Sequence, residues 1–173
     1  MSFPGGKASF IIGIMSDSMI SIRDAEQSDV ARIVLLVNAA FLVEKFFIER
    51  DRTNPDMVRG LMEKGKFLLA EDGLTLTGCV YVELRGERGY LGMLSVEPDR
   101  QRMGLGRRLL AAAENYFQES GCRFSDLLIV NVRTDLLKMY LQLGYAETGT
   151  APYENRFPTK MPVHFIAMSK PLL

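Results

Sequence analysis

The chain is short of most features that announce a function on their own. Its 21 Lys and Arg are matched by 21 Asp and Glu, so it has no net positive field to draw in nucleic acid and no acidic tail. Any anion site must therefore be local. Histidine occurs once, at His164, and the two cysteines, Cys79 and Cys122, have no metal-ligand spacing, so no metal site is expected. Both cysteines lie among apolar residues, which suits buried thiols in a reducing compartment and argues against a disulfide. The apolar run FIIGIM, Phe10 to Met15, is too short for a membrane span, and the single Lys7 before it makes a poor signal peptide. Together these absences predict a cytoplasmic protein that binds neither nucleic acid nor membrane.

What is present is the composition of one globular domain: 173 residues, 47% hydrophobic and 24% charged, enough for a sizeable single core. Regular patterning begins only at Ile20. Residues 1–18 are therefore expected to be a weakly structured tail, with Met15 or Met19 as an alternative natural start, and residues 19–173 to form the domain. A strand at Met19 to Arg23 is followed by an amphipathic helix from Asp24 to Phe41, with Val30, Ile33, Val34, Val37 and Phe41 on one stripe. Asn54 as N-cap and Pro55 at the first position announce a second helix, which stops at Gly65. Between the two helices, VEKFFIERDRT reads as a mobile connection.

Lys66 to Glu71, Leu76 to Leu84 and Tyr90 to Val96, separated by Asp72-Gly73 and by RGERG, read as an antiparallel meander. A helix with Leu105, Leu109, Ala112, Ala113 and Tyr116 on one face ends at Gly121. A strand from Ser125 to Asn131 and a short helix from Asp135 to Leu143 complete a strand-helix-strand-helix unit. Two last strands, near Glu147 to Thr150 and His164 to Ser169, enclose a loop with Pro152, Pro158 and Pro162 that can line a substrate site.

The chemistry concentrates in VEPDRQRMGLGRRL. A strand ends at Val96 and a helix opens near Gly104, which leaves the N–H groups from Arg102 to Arg107 without intrahelical partners. Glycines at 104 and 106 let the backbone approach a phosphate, the helix dipole favours negative charge, and Arg102, Arg107 and Arg108 add cations. A P-loop would require Gly-Lys-Ser/Thr where this chain has Gly106-Arg107-Arg108. A dinucleotide fingerprint would require a third glycine where Leu109 stands, and a parallel sheet in place of the meander. By itself the stretch reads equally as an anion cradle or as a tight, ligand-free strand-to-helix turn.

Gln101-Arg102-Met103-Gly104-Leu105-Gly106 resembles the Q/R-x-x-G-x-G/A signature of the GNAT superfamily of acyl-CoA-dependent N-acetyltransferases. The order of elements and the segment KMYLQLGY extend the resemblance over nearly the whole chain. It implies an α/β fold with a mixed, mainly antiparallel sheet of six to seven strands, flanked by helices and with a splayed central strand pair. It implies acetyl-CoA as cosubstrate, with Gln101 at the cofactor, its pyrophosphate on the N–H groups of Arg102, Met103, Gly104, Leu105, Gly106 and Arg107, and its pantetheine arm along Leu94, Ser95 and Val96. A homodimer is compatible with the family.

In the same resemblance Tyr140 takes the place of the tyrosine that protonates the departing thiolate, a role suited to a phenol that is neutral near pH 7. Read from its residues alone, with Leu136, Leu137 and Leu141 on its stripe, Tyr140 is a core tyrosine. Seven positions before it, where many relatives carry asparagine, stands Arg133; Asn131 is out of register. Arg133 is thus a candidate for a cofactor phosphate or an acidic group on the acceptor, or an ordinary surface arginine. Where some relatives place a catalytic glutamate, this chain has Tyr90, so the base is sought elsewhere: first at Glu83, then at Glu44, Glu49, His164 or a water relay. Neither cysteine has a neighbouring histidine to activate it, which favours direct transfer over an acyl-cysteine. The expected activity is transfer of an acetyl group to a small-molecule or peptide amine of unread identity; the alternative is an acyl-CoA-binding sensor without turnover.

Overall fold

The computed structural model describes residues 19–153 and 158–173, so the expected N-terminal tail lies outside the described residues. Seven strands form one sheet in the order β1-β2-β3-β4-β5-β7-β6. They are β1 (Ile20–Asp24), β2 (Lys66–Asp72), β3 (Thr75–Arg85), β4 (Arg88–Val96), β5 (Phe124–Val130), β6 (Ala146–Pro152) and β7 (His164–Pro171). Every neighbouring pair is antiparallel except β4 and β5. Four helices accompany it: α1 (Val30–Ala40), α2 (Pro55–Lys64), α3 (Leu105–Glu119) and α4 (Thr134–Gln142). None of the described helices is long and apolar enough to cross a membrane. The sheet is mixed and mainly antiparallel with helices on its faces, as the sequence predicts.

Strand periodicity sorts the core into two layers. Leu68, Ala70, Val80, Val82 and Leu91 face α3, where Leu105, Leu109, Leu110, Ala113 and Phe117 lie buried. Their alternates Phe67, Leu69, Cys79 and Tyr81 face the other way, against Val30, Ile33, Val37 and Val58 of α1 and α2. Both faces of the meander are therefore covered, which explains its nearly continuous apolar runs. Helix α3 approaches β4 closely: a Cβ at Gly89 would lie 2.2 Å from the Phe117 ring, a position only glycine can occupy. The Asn54 side chain accepts from the Met57 N–H at 2.9 Å, the cap that its sequence position promises.

The connection from α1 to α2 differs from expectation. Phe41–Phe46 form a 3-10 helix, and Phe47 is fully buried. The Asn38 amide grips Thr53 through two hydrogen bonds of 2.9 and 3.1 Å. Lys160 donates from its N–H to the Phe47 carbonyl at 2.8 Å and from Nζ to that of Lys45 at 2.7 Å, and it pairs with Glu49. The segment is pinned by partners from the far end of the chain, which its local polarity does not reveal.

A second set of charges fastens β1, β2 and the start of α1. Arg23 donates to Asp29 at 2.8 and 3.0 Å and to Glu71 at 2.9 and 3.0 Å, and Arg32 joins both carboxylates. Asp29 is buried, and the Arg23 hydrogen bonds hold its carboxyl down, at about 2 against an ordinary 3.8. A depressed folded value means stability that is present above the unfolded pKa and is lost as pH falls through the folded one. Asp29→Asn should therefore lower the urea midpoint most above about pH 4, with the gap to wild type narrowing as the pH drops through about 2. A gap that does not vary with pH would remove the ion pairs from this account.

Candidate active site

The parallel pair β4–β5 is brief. Arg88, Gly89 and Tyr90 pair with Phe124, Ser125 and Asp126, and beyond that rung no pairing follows, although β4 continues to Val96 and β5 to Val130. The last rung is stapled by Arg88, which donates to Asp126 at 2.5 and 2.7 Å. Past it, each strand keeps only its outer neighbour: β5 stays on β7 along its whole length, and β4 stays on β3. From Cys79↔Ser95 to Tyr81↔Gly92, β4 spends one residue more than β3, so it bulges. Met93 sits in that bulge at φ +51°, a conformation that costs a non-glycine residue about 1–3 kcal/mol.

The wedge opens into a cleft of about 600 Å³, a usual size for a small-molecule site. Its walls are Leu91 to Leu94 and Val96 on β4 and Leu127 to Val130 on β5. At the end of β4 the chain turns through Gln101, Arg102, Gly104, Gly106 and Arg107, all on the cleft. Arg102 and Gly104 take positive φ values, +65° and +81°. The Gln101 amide closes the turn by donating to the Val96 carbonyl at 3.2 Å.

No side chain caps α3, and its first turn closes with a bond from the Arg108 N–H to the Gly104 carbonyl at 3.1 Å. The N–H groups of Leu105, Gly106 and Arg107 precede it and lack an intrahelical acceptor. A Cβ on Gly104 would meet nothing within 4 Å and one on Gly106 only Val96 at 3.8 Å, so the turn faces open space. The side chains of three positions expected at the cofactor lie away from the cleft, which leaves only their main chain to offer it. The Ser95 side chain is buried and donates to the Met93 carbonyl at 2.9 Å, Leu105 is in the core, and Met103 projects outward. Arg108, expected as a further cation at the turn, donates to the Ile20 carbonyl at 3.1 Å.

Tyr140 of α4 reaches the cleft and is buried, edge-on to Tyr145 at 5.5 Å between centroids. Burial pushes its phenol well above the ordinary tyrosine value, so it holds its proton throughout the neutral range. On the opposite face of the sheet the cleft is lined by Phe41, Glu44, Arg52 and Tyr90. Glu44 is buried, and desolvation holds its carboxyl above the usual range although Arg52 and Arg133 pull it down.

Arg133 is not a surface arginine. It donates to Glu44 at 3.1 Å and to both oxygens of Asp135 at 3.0 and 2.8 Å, with only 11% of its side chain exposed. The guanidinium is largely occupied by carboxylates, which leaves little of it for a phosphate. Glu83, expected as the base, does not line the cleft. Its carboxylate accepts from Tyr81 at 2.8 Å and from Arg85 at 2.8 and 3.2 Å, and these bonds hold it below the ordinary value. Glu49 pairs with Lys160, and the exposed His164 lies at the start of β7, also off the cleft. Burial pushes the Cys79 thiol up to about 12, far from a reactive thiolate.

The family model described as an acetyltransferase (GNAT) domain matches residues 24–164. No curated protein matches the chain in sequence. Solved structures with the same fold include the ribosomal-protein-S18-alanine N-acetyltransferase of Escherichia coli, at TM-score 0.70 and 20% identity over 89% of this chain and 94% of that one. Ard1 of Thermoplasma volcanium superposes at TM-score 0.74 with 14% identity over 89% and 98% of the two chains. Salmonella typhimurium yncA, solved with its cofactor acetyl-CoA, superposes at 0.69 with 22% identity over 89% and 94%.

The Arg133–Glu44 pair carries its own test. Arg133→Met strips a buried carboxylate of its partner and should cost about 3–5 kcal/mol in urea denaturation, part of it recovered by adding Glu44→Gln. A loss below about 1 kcal/mol would contradict burial of the pair.

Proposed function

The chain belongs to the GNAT acetyltransferase family, and from that membership we propose that it transfers the acetyl group of acetyl-CoA to an amine. The observation that carries the reading is the wedge: two strands that part after Tyr90 and Asp126 and open onto an uncapped helix start. Such a site offers three things a nucleotide thioester requires. The free N–H groups of Leu105, Gly106 and Arg107, with Arg102 and Arg107 beside them, fit a pyrophosphate. The β4 edge from Leu91 to Val96, turned toward β5 without a partner strand, fits the amides of an extended pantetheine arm. The apolar walls Leu94, Val96, Leu110, Leu127 and Ile129 exclude water from the reacting end.

When bound, acetyl-CoA supplies an activated acyl group with a good leaving thiol. The residues of the chain supply position and protons. Main-chain N–H groups of the bulged part of β4 polarise the acyl oxygen. Glu44, poised by burial on the cleft, accepts the proton of the incoming amine directly or through one water, a role that Glu83 does not fill because it does not line the cleft. Nitrogen bonds to the acyl carbon, the carbon–sulfur bond breaks, and Tyr140 gives its proton to the sulfur. Solvent then restores Tyr140 and discharges Glu44.

The direct test is thiol release from acetyl-CoA across a panel of amines. Release that depends on an amine supports transfer; calorimetric binding with no release for any amine would make the domain a sensor instead. Gly104→Asp or Gly106→Asp should abolish acetyl-CoA binding by placing a carboxylate against the pyrophosphate. Gly104→Asn, which tolerates positive φ, should retain measurable affinity. Equal affinity for the aspartate and asparagine variants would refute a phosphate at this turn. Tyr140→Phe should lower kcat by about 10- to 100-fold, with little change in the Kd for acetyl-CoA; unchanged turnover would remove Tyr140 from the chemistry.

A further inference from the structure

The acceptor side of the cleft contains a cation that no described residue engages in an ion pair or through its Nε–H. Arg52 lies on the connection between α1 and α2, held by the clamp of the Asn38 amide on Thr53, and it lines the cleft with Glu44. Its guanidinium sits 5.2 Å from the centre of the Phe41 ring. The Arg52 Nε–H is buried and meets no hydrogen-bond acceptor among the described residues. Among the described residues Arg52 forms no ion pair within 4.0 Å, whereas Arg133, on the same cleft, is held by two carboxylates.

A buried guanidinium N–H without an acceptor is a strong demand for an anion, and the planar fork of arginine matches a carboxylate in particular. The phosphate-binding functions are placed elsewhere. Arg102 and Arg107 stand at the turn that follows β4, whereas Arg52 stands with Phe41 and Tyr90, both of which pack against the α1/α2 layer. Arg52 and Glu44 thus present one positive and one negative group at the same mouth, between the rings of Phe41, Tyr90, Tyr153 and Phe165. That pattern mirrors a zwitterion with an apolar side chain.

We propose that Arg52 binds a carboxylate of the acceptor while Glu44 faces its amine, so that the substrate class is a free α-amino acid with an apolar or aromatic side chain. This rests on the acetyl-transfer reading above and names the acceptor within it. It separates such molecules from polyamines, which have no carboxylate, and from peptide N-termini, whose first carboxyl is an amide. The group transferred and the proton path are unchanged: the amine nitrogen gains the acetyl carbon, sulfur leaves, and the proton of nitrogen passes to Glu44.

The test uses the full chain with matched pairs: L-phenylalanine, L-methionine and L-leucine, each against its own amide. The amides have the less basic amine, so a preference for the acids cannot come from nucleophile availability. Wild type should favour acid over amide in kcat/KM by about 10- to 100-fold. In Arg52→Met and Arg52→Gln that ratio should fall to about 1, with the Kd for acetyl-CoA unchanged; because Arg52 also lowers the Glu44 carboxyl, absolute rates shift for acids and amides alike, and the ratio cancels that shift. A second arm titrates the same acids and amides calorimetrically into protein saturated with CoA, which reads the carboxylate site without turnover. Acid-selective binding that vanishes in Arg52→Met supports the inference even if no amine releases thiol, an outcome that would sink the transfer reading alone. Wild-type ratios near 1 in both arms would overturn it, as would loss of acetyl-CoA affinity in the Arg52 variants, which would assign Arg52 to the cofactor.

Discussion

Two neighbouring strands that stop pairing are the constraint on which the rest of the molecule depends. Backbone N–H and C=O groups inside a protein are nearly always paired, and a continuous sheet is the easiest way to pair them. Here β4 and β5 hold together through three rungs and separate after the Arg88–Asp126 staple. The separated edges form a slot lined by main-chain donors and acceptors, open to an extended ligand rather than to a strand. Everything proposed for the site follows from keeping that slot open.

Several features act together to do so. The bulge at Met93 bends β4, while β7 holds β5 straight along its full length. Helix α3 lies across β3 and β4 on one face, with Phe117 seated on Gly89 just below the parting rung. At the far end of β4, the positive φ values of Arg102 and Gly104 turn the chain back so that α3 begins with its N–H groups exposed. On the other face, the 3-10 helix of Phe41–Phe46 is locked to the start of α4 through Glu44 and Arg133, and to the β6–β7 loop through Lys160. The slot therefore has one end built from backbone N–H groups and a mouth built from side chains.

Much of this was legible in the sequence because it is local. Short apolar runs such as LLA and CVYV between turn signals marked strands, Asn54-Pro55 marked a helix start, and Gly104 with Gly106 marked the turn, since each signal spans only a few residues. The fold followed from their order. The side-chain part of the site was not legible in the same way. Arg133 and Glu44 are 89 positions apart, and nothing near either residue reveals the pair. Glu83 looked available on its strand face, but Tyr81 and Arg85, two positions to either side on that face, capture it, a local contact that strand alternation places within reach. Arg52 passed as one charge in a polar connection, because the burial of its Nε and its place on the cleft arise only in the folded chain.

The most direct measurement of the central claim is amide hydrogen exchange with and without acetyl-CoA. If the slot holds the pantetheine arm and the uncapped start of α3 holds the pyrophosphate, the cofactor should slow exchange at Leu91 to Val96 and at Leu105 to Arg107. The β1–β2 pair at the far edge of the sheet should be unaffected. Protection confined to other surfaces, or none at cofactor concentrations that saturate binding, would contradict the claim that the parting of β4 and β5 is the acetyl-CoA site.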